Sequence, residues 1–153
     1  MTCAHPTQPV RYMLANPVEW MPRIRDIMSR NWSETGFQFA FNPSIEMYQR
    51  AVDAGIMFGM VALDGEQVIG YCTMMVSPTM HNPQVVIAAN DALFVVPERR
   101  GIVSVRLMQA AEREAKLRGA SMVCWHARAG TGMASMLARR GYAETDIVMT
   151  KEI

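Results

Sequence analysis

The stretch that most limits the fold is residues 88–119. An apolar run, Ala88 to Val96, stops at Pro97, and proline does not continue a central strand. The charged turn Glu98-Arg99-Arg100-Gly101 follows, and Gly101 frees the backbone just before the next element. From Val103, apolar residues recur at Leu107, Met108, Ala111 and Ala115, the spacing of one helix face. Lys116 and Arg118 fall in the last turn, and Gly119 suits a left-handed stop. The stretch therefore predicts strand, basic glycine turn, helix. The first N–H groups of such a helix have no partner inside it, so this turn can hold an anion such as a pyrophosphate.

The rest of the chain arranges itself around that unit. Val10 to Leu14 suits a first strand. Asn16-Pro17 opens a helix, with asparagine as cap and proline in the first turn. Trp20, Met21, Ile24, Ile27 and Met28 continue it at helical spacing to about Arg30. The aromatic region Trp32 to Phe41 does not read as helix: Gly36 breaks it, and Phe37, Phe39 and Phe41 then alternate with Gln38 and Ala40. That period of two predicts a short extended segment with an aromatic face. Ser44 caps a second helix, with Met47, Tyr48 and Ala51 inward and Gly55 at its end. Strands follow over 56–63 and 67–75, joined by the hairpin signal Asp64-Gly65. Gly70 marks a bulge or close packing. A third long strand covers 84–96. After the main helix come a strand over 122–126, a short helix over 133–140 ended by Gly141-Tyr142, and a last strand over 147–151. The order β-α-α-β-β-β-α-β-α-β excludes a simple doubly wound sheet. It predicts an α+β fold, an α/β/α sandwich with a mixed, mostly antiparallel sheet and helices on both faces.

Composition narrows the function classes. A chain of 153 residues fits one domain, with residues 1–9 as a loose leader around Pro6 and Pro9. Half the residues are hydrophobic and 19% are charged, which is globular rather than disordered. No apolar run approaches the roughly 20 residues of a membrane span, and the start lacks the apolar core of a signal peptide. The formal net charge of +1 implies no broad nucleic-acid footprint. A cytoplasmic protein without membrane or nucleic-acid partners is expected. Cys3, Cys72 and Cys124 lack metal spacing and read as inert thiols in a reducing compartment, so no metal is expected. The 15 methionines are mostly core filler, though Met74, Met75 and Met80 suit an adaptable pocket.

Val96-Pro97-Glu98-Arg99-Arg100-Gly101, then Leu107-Met108 and the helix to Ala120, resembles the acetyl-CoA signature of the GNAT superfamily of N-acetyltransferases. Arg139-Arg140-Gly141-Tyr142 resembles the family's second signature, a short helix ending at Gly-Phe or Gly-Tyr. The element order is the same as the family's. The motif-level likeness covers about residues 91–142. The resemblance implies acetyl-CoA as co-substrate and a small-molecule or peptide amine as acceptor. It implies main-chain amides of Arg99, Arg100, Gly101, Ile102, Val103 and Ser104 around the pyrophosphate. An amide of Val95 or Val96 would meet the acetyl carbonyl where two parallel strands splay. Three departures stand out, one of them Gly130 where the family carries a helix-opening asparagine. The glycine turn is one residue short, with Ile102 in place of the central glycine if Arg99 opens the motif. Leu137 stands where the family carries a proton-donating tyrosine.

Transfer to an amine needs a base and a fixed N–H for the developing oxyanion. Asp91 interrupts the apolar strand and is the candidate base, sharing a face with Leu93 and Val95 by period two. Capping of a strand bulge or pairing with an arginine competes as its role, and Asn90 points the other way. His126 is a second candidate base. With Cys124 at i, i+2 it also makes a nucleophile–base pair conceivable, although no third group orients it. Ser135 is a candidate proton donor in place of the tyrosine. Trp32, Phe37, Phe39, Phe41 and Tyr48 suit either an acceptor pocket or core packing. A GNAT-fold binding module acting through CoA or a protein partner competes with the enzyme, as does a small structural protein. A homodimer is left open.

Overall fold

The computed structural model describes residues 9–153. Most of the expected leader, residues 1–8, lies outside the described residues. Five strands form one sheet in chain order: β1 (Arg11–Ala15), β2 (Met57–Asp64), β3 (Gln67–Pro78), β4 (Val86–Val95) and β5 (Met122–Cys124). The first three pairings are antiparallel and β4–β5 is parallel, the mixed, mostly antiparallel sheet expected. Four helices accompany it: α1 (Pro17–Ser33), α2 (Ile45–Asp53), α3 (Ile102–Leu117) and α4 (Gly132–Arg139).

Local chemistry sets the helix starts. The Asn16 side chain accepts from the Val18 and Glu19 N–H groups at 2.9 and 3.4 Å. Ser44 Oγ accepts from the Met47 N–H at 3.3 Å. Each cap satisfies a donor that the helix cannot, and its loss costs about 1 kcal/mol. Gly101, at φ 97°, lets the chain turn from the 3-10 turn Pro97–Arg99 into α3.

The helices lie on both faces. Arg118, the residue that caps the end of α3, places its guanidinium 4.7 Å from the Phe58 ring centroid. Pro17 of α1 crowds the next residue, Gly59, whose Cβ would come within 3.2 Å of Pro17 Cγ. Adjacent strand residues face opposite sides, so α1 and α3 sandwich the sheet. Val61, Ala62, Cys72, Met74, Leu107 and Ala111 are wholly or almost wholly buried between these layers.

Two bulges shape the sheet. Ala62 pairs with Gly70 but Leu63 with Val68, leaving Ile69 extra in β3. A side chain at Gly70 would meet Val95 Cγ2 at 2.9 Å and the Phe94 carbonyl at 3.0 Å, the close packing its place in a strand predicts. The second bulge lies in β4. Thr73 pairs with Ala92 and Met74 with Asn90, so Asp91 has no partner across the ladder. Beyond it the sheet opens. The β4–β5 pairing covers only Ile87–Met122 to Ala89–Cys124, and then the two strands part.

Several expectations need correction. Trp32 is helical, because α1 runs to Ser33. Residues 37–41 form no strand; their aromatic rings pack on Trp32, which a flat extended segment would not allow. Met47 of α2 is exposed rather than inward. Met74 is buried and Met80 is 97% exposed, so they do not line one pocket. The expected strand over 147–151 is absent, and Ile147, Val148 and Met149 are exposed. An apolar run is only a capacity for pairing, and a three-residue β5 offers few groups to pair with.

Candidate active site

The β4 bulge turns Asp91 toward the α1–α2 layer. Asp91 Oδ2 accepts from Thr73 Oγ1 at 3.1 Å and from the Tyr48 hydroxyl at 3.4 Å. Leu93, by contrast, pairs with Cys72, on the opposite side of the sheet from Thr73. Asp91 therefore does not share a face with Leu93 and Val95. The bulge inserts one residue, and the alternation slips by one side chain. The competing role, a carboxylate placed at a strand bulge, describes its position; its partners are hydroxyls rather than an arginine.

Burial and the neighbouring Asp91 charge push the Tyr48 phenol well above its ordinary value. Tyr48 thus remains a neutral donor to the carboxylate. Tyr71, two residues from Thr73 on the same face, is pushed up to about 12, chiefly by burial. Its hydroxyl accepts from Asn31 Nδ2 at 2.9 Å. Asn31 Oδ1 accepts from Arg128 Nη2 at 2.7 Å. Arg128 also donates through Nη1 to Glu34 at 3.3 Å, and Arg100 Nη2 reaches both Glu34 oxygens at 2.7 and 2.9 Å. Two hydrogen-bonded groups thus lie side by side, one joining α2, β3 and β4 through Asp91, the other joining Tyr71 of β3 to the end of α1, Arg100 and the loop after β5. Asn31 and Thr73 are buried in them, and burial makes each hydrogen bond costly to lose.

Main-chain groups face the opening between β4 and β5. The Val96 N–H is bonded to the Ile69 carbonyl at 2.9 Å, so it is not a free donor, contrary to one of the two expected amides. Antiparallel ladders alternate, so the N–H and C=O of Val95 point away from β3, toward the opening. The Val95 carbonyl accepts from Arg100 Nε at 2.9 Å, and the Arg100 guanidinium lies 5.3 Å from the Phe94 ring centroid. Arg99 turns elsewhere and pairs with Asp64 at the β2–β3 hairpin. The first helical bond of α3 runs from the Val105 N–H to the Gly101 carbonyl at 3.2 Å. The N–H groups of Ile102, Val103 and Ser104 carry no described hydrogen bond. A Cβ added at Gly101 would meet nothing within 4 Å.

The remaining candidates scatter. β5 ends at Cys124, so His126 is not on the strand with it. Its backbone N–H donates to Asn90 Oδ1 at 2.6 Å while the residue is exposed. The buried Asn90 side chain thereby bridges the strands just where their ladder stops. Ser135 is exposed on α4 and Leu137 is buried. Trp32 gathers the aromatic residues: Phe37, Phe39 and Phe41 lie 5.5, 5.0 and 6.3 Å from it, centroid to centroid. Trp32 Nε1 donates to the Phe39 carbonyl at 3.0 Å.

Sequence reasoning missed Thr73, Tyr71, Asn31, Glu34 and Arg128. Two signals were available. Asn31 continues the inner stripe Ile24, Ile27, Met28 of α1, and Tyr71 and Thr73 alternate polar atoms into an apolar strand. Glu34 and Arg128 are exposed-loop types that meet only through the fold.

No protein-family model matches the chain, and no curated protein matches it in sequence. Solved structures do match in shape. An aminoglycoside acetyltransferase from an uncultured soil metagenomic sample, crystallised with sisomicin, is 18% identical with a TM-score of 0.72, covering 94% of this chain and 95% of its own. The ribosomal-protein-alanine N-acetyltransferase of Brucella melitensis biovar Abortus is 12% identical with a TM-score of 0.74, covering 95% and 98%. A predicted acetyltransferase of Clostridium acetobutylicum, crystallised with acetyl-CoA, is 16% identical with a TM-score of 0.72, covering 94% and 96%. By this likeness in shape, the described residues have the GNAT acetyltransferase fold.

Proposed function

We propose that this chain is an acetyl-CoA-dependent N-acetyltransferase, one domain in which an amine acceptor attacks directly within a ternary complex. One observation carries the proposal: a carboxylate steadied by two hydroxyls, Asp91 with Thr73 and Tyr48, sits where β4 leaves β5 and exposes a main-chain edge. The shared fold with acetyltransferases, one of them with acetyl-CoA in place, supports it.

The residues present fit acetyl-CoA. The unpaired N–H groups of Ile102, Val103 and Ser104, above the bare Gly101 turn, suit a pyrophosphate. The Val95 N–H suits a thioester carbonyl. When bound, acetyl-CoA supplies an acetyl group activated as a thioester. Asp91 Oδ2 takes the proton of the amine, because only a neutral amine is nucleophilic. Thr73 and Tyr48 hold the carboxylate still during that transfer. The Val95 N–H would donate to the carbonyl oxygen as negative charge grows on it; formation of the N–C bond is balanced by loss of the C–S bond, the CoA thiolate leaving and taking its proton from water. Trp32, Phe37, Phe39 and Phe41 wall the acceptor side.

Millimolar acetyl-CoA is expected to raise the melting temperature, as a ligand of the native state does. Gly101→Pro is expected to remove that rise, since proline cannot adopt φ 97°. An unchanged melt with acetyl-CoA refutes the cofactor assignment. A second reading, a binding module without turnover, draws on Leu137, a buried side chain with no proton to give. Acetyl-CoA binding without acetylation of any amine in a broad panel would favour it.

A further inference from the structure

The loop between α1 and α2 is tied to the site at both ends. Glu34 at its start holds Arg100 and Arg128, and Tyr48 beyond its end holds Asp91. Between them several large apolar side chains are exposed. Phe37 and Phe39 stack at 5.2 Å and stay 49% and 62% exposed, both against Trp32. Ile45 and Met47 on α2 are exposed as well, and α2 buries no residue fully. Exposed aromatic clusters of this kind mark a contact surface.

Charge decides what the contact is. From Gly36 to Gln49 the sole charged residue is Glu46. Glu34 is already neutralised by two guanidiniums. Arg25 lies 5.8 Å from the Phe41 ring centroid, and Arg100 and Arg128 flank the loop's start. With two guanidiniums on one carboxylate at the loop's start and Arg25 beside Phe41, an acceptor with several ammonium groups would meet a net positive edge. One ammonium group can be served by Asp91.

Building on the acetyl-transfer reading, we propose that the acceptor is a primary monoamine carried on an apolar body, with Trp32, Phe37 and Phe39 gripping that body. A small arylalkylamine and an apolar N-terminal residue share this chemistry.

Three probes separate the cases: 2-phenylethylamine, a phenylalanine-led tripeptide amide, and spermine. Calorimetric titration of the full chain without acetyl-CoA is expected to show binding of at least one apolar probe and weaker binding of spermine. The double variant Phe37→Ala, Phe39→Ala should lose about tenfold in that affinity, a size fitting the loss of two aromatic contacts. In turnover it should raise KM with kcat nearly unchanged, the mark of lost ground-state binding. Its melting rise with acetyl-CoA should persist. Spermine binding as tightly as the apolar probes, or an unchanged affinity in the variant, overturns the proposal. So does a variant that only dissolves a dimer, which would make the patch a contact between copies. Failure of acetyl-CoA to raise the melt strikes the transfer reading separately, since the titration needs no cofactor.

Discussion

Among the described residues two carboxylates each accept from a tyrosine, and the pairs differ in what surrounds them. Asp91 lies in a strand bulge, bonded to Tyr48 and Thr73, beside the opening between β4 and β5. Glu112 lies on α3. Its Oε1 accepts from Trp125 Nε1 at 2.8 Å and from the Tyr142 hydroxyl, so it fastens the segments after β5 and α4 to the outer helix. The partners are alike and the settings are not. Glu112 is half-buried against the segments it fastens, while Asp91 is exposed. Asp91 is held by hydroxyls from its own sheet and from α2 at the edge of the opening, the setting on which the proposed base role rests.

The largest effect should come from breaking the first pair. Asp91→Asn should lower the acetylation rate at neutral pH by about 10²–10⁴-fold, the usual worth of acid–base assistance. Its melting temperature and acetyl-CoA response should stay close to the parent's. The deficit should shrink at high pH, where more amine is already neutral. Equal rates at neutral pH would show that the two carboxylates do not differ as described.

Next in size is the second pair. Glu112→Ala leaves two donors without their acceptor and should destabilise the fold by about 1–3 kcal/mol. The rate per folded molecule should not change. Denaturant melts and turnover on the same sample give both numbers, and a rate loss without a stability loss would reverse the roles. Tyr48→Phe sharpens the contrast further. It removes one of two donors to Asp91, so a rate loss of about tenfold, the worth of one hydrogen bond to a charged group, is expected with a small change in melting.

The smallest effect is alkaline. Burial, and then the bond to Glu112, push Tyr142 up to about 12. A folded-state value above the unfolded one adds stability below pH about 10 and loses it as pH rises toward about 12. Parent and Tyr142→Phe should therefore converge in stability across that window. A constant gap from pH 9 to 12 would show that the phenol's proton does not matter.

Much of the scaffold was legible in the sequence because its signals are local. Asn16, Ser44, Asp64-Gly65, Gly101 and Gly141 each settle a turn or cap through their own backbone preferences. Gly70 announced close packing that the Val95 side chain does enforce. The site was legible in part. Asp91 stands out as a charge in an apolar strand, but the side it faces depends on how β3 pairs with β4. That is a property of two strands, which period-two reading of one cannot supply. The same limit explains the Val96 amide, which is spent on β3, and the apolar run over 147–151, which has the pattern of a strand and no strand beside it. The aromatic segment failed for another reason. Its alternation is real, but Trp32 offers a packing surface that bends the chain around it.

The extra residue in β4 can also be counted as a phase shift. Asn90 and Leu93 face the same layer although they are three apart, because Asn90 pairs with Met74 and Leu93 with Cys72. Upstream and downstream halves of the strand therefore keep different time. Substitution anywhere along β4 alters one side chain. Deletion of a single residue near Asp91 would instead bring the halves back into step and exchange the inner and outer faces of one of them. Length, more than composition, is what this strand has to preserve.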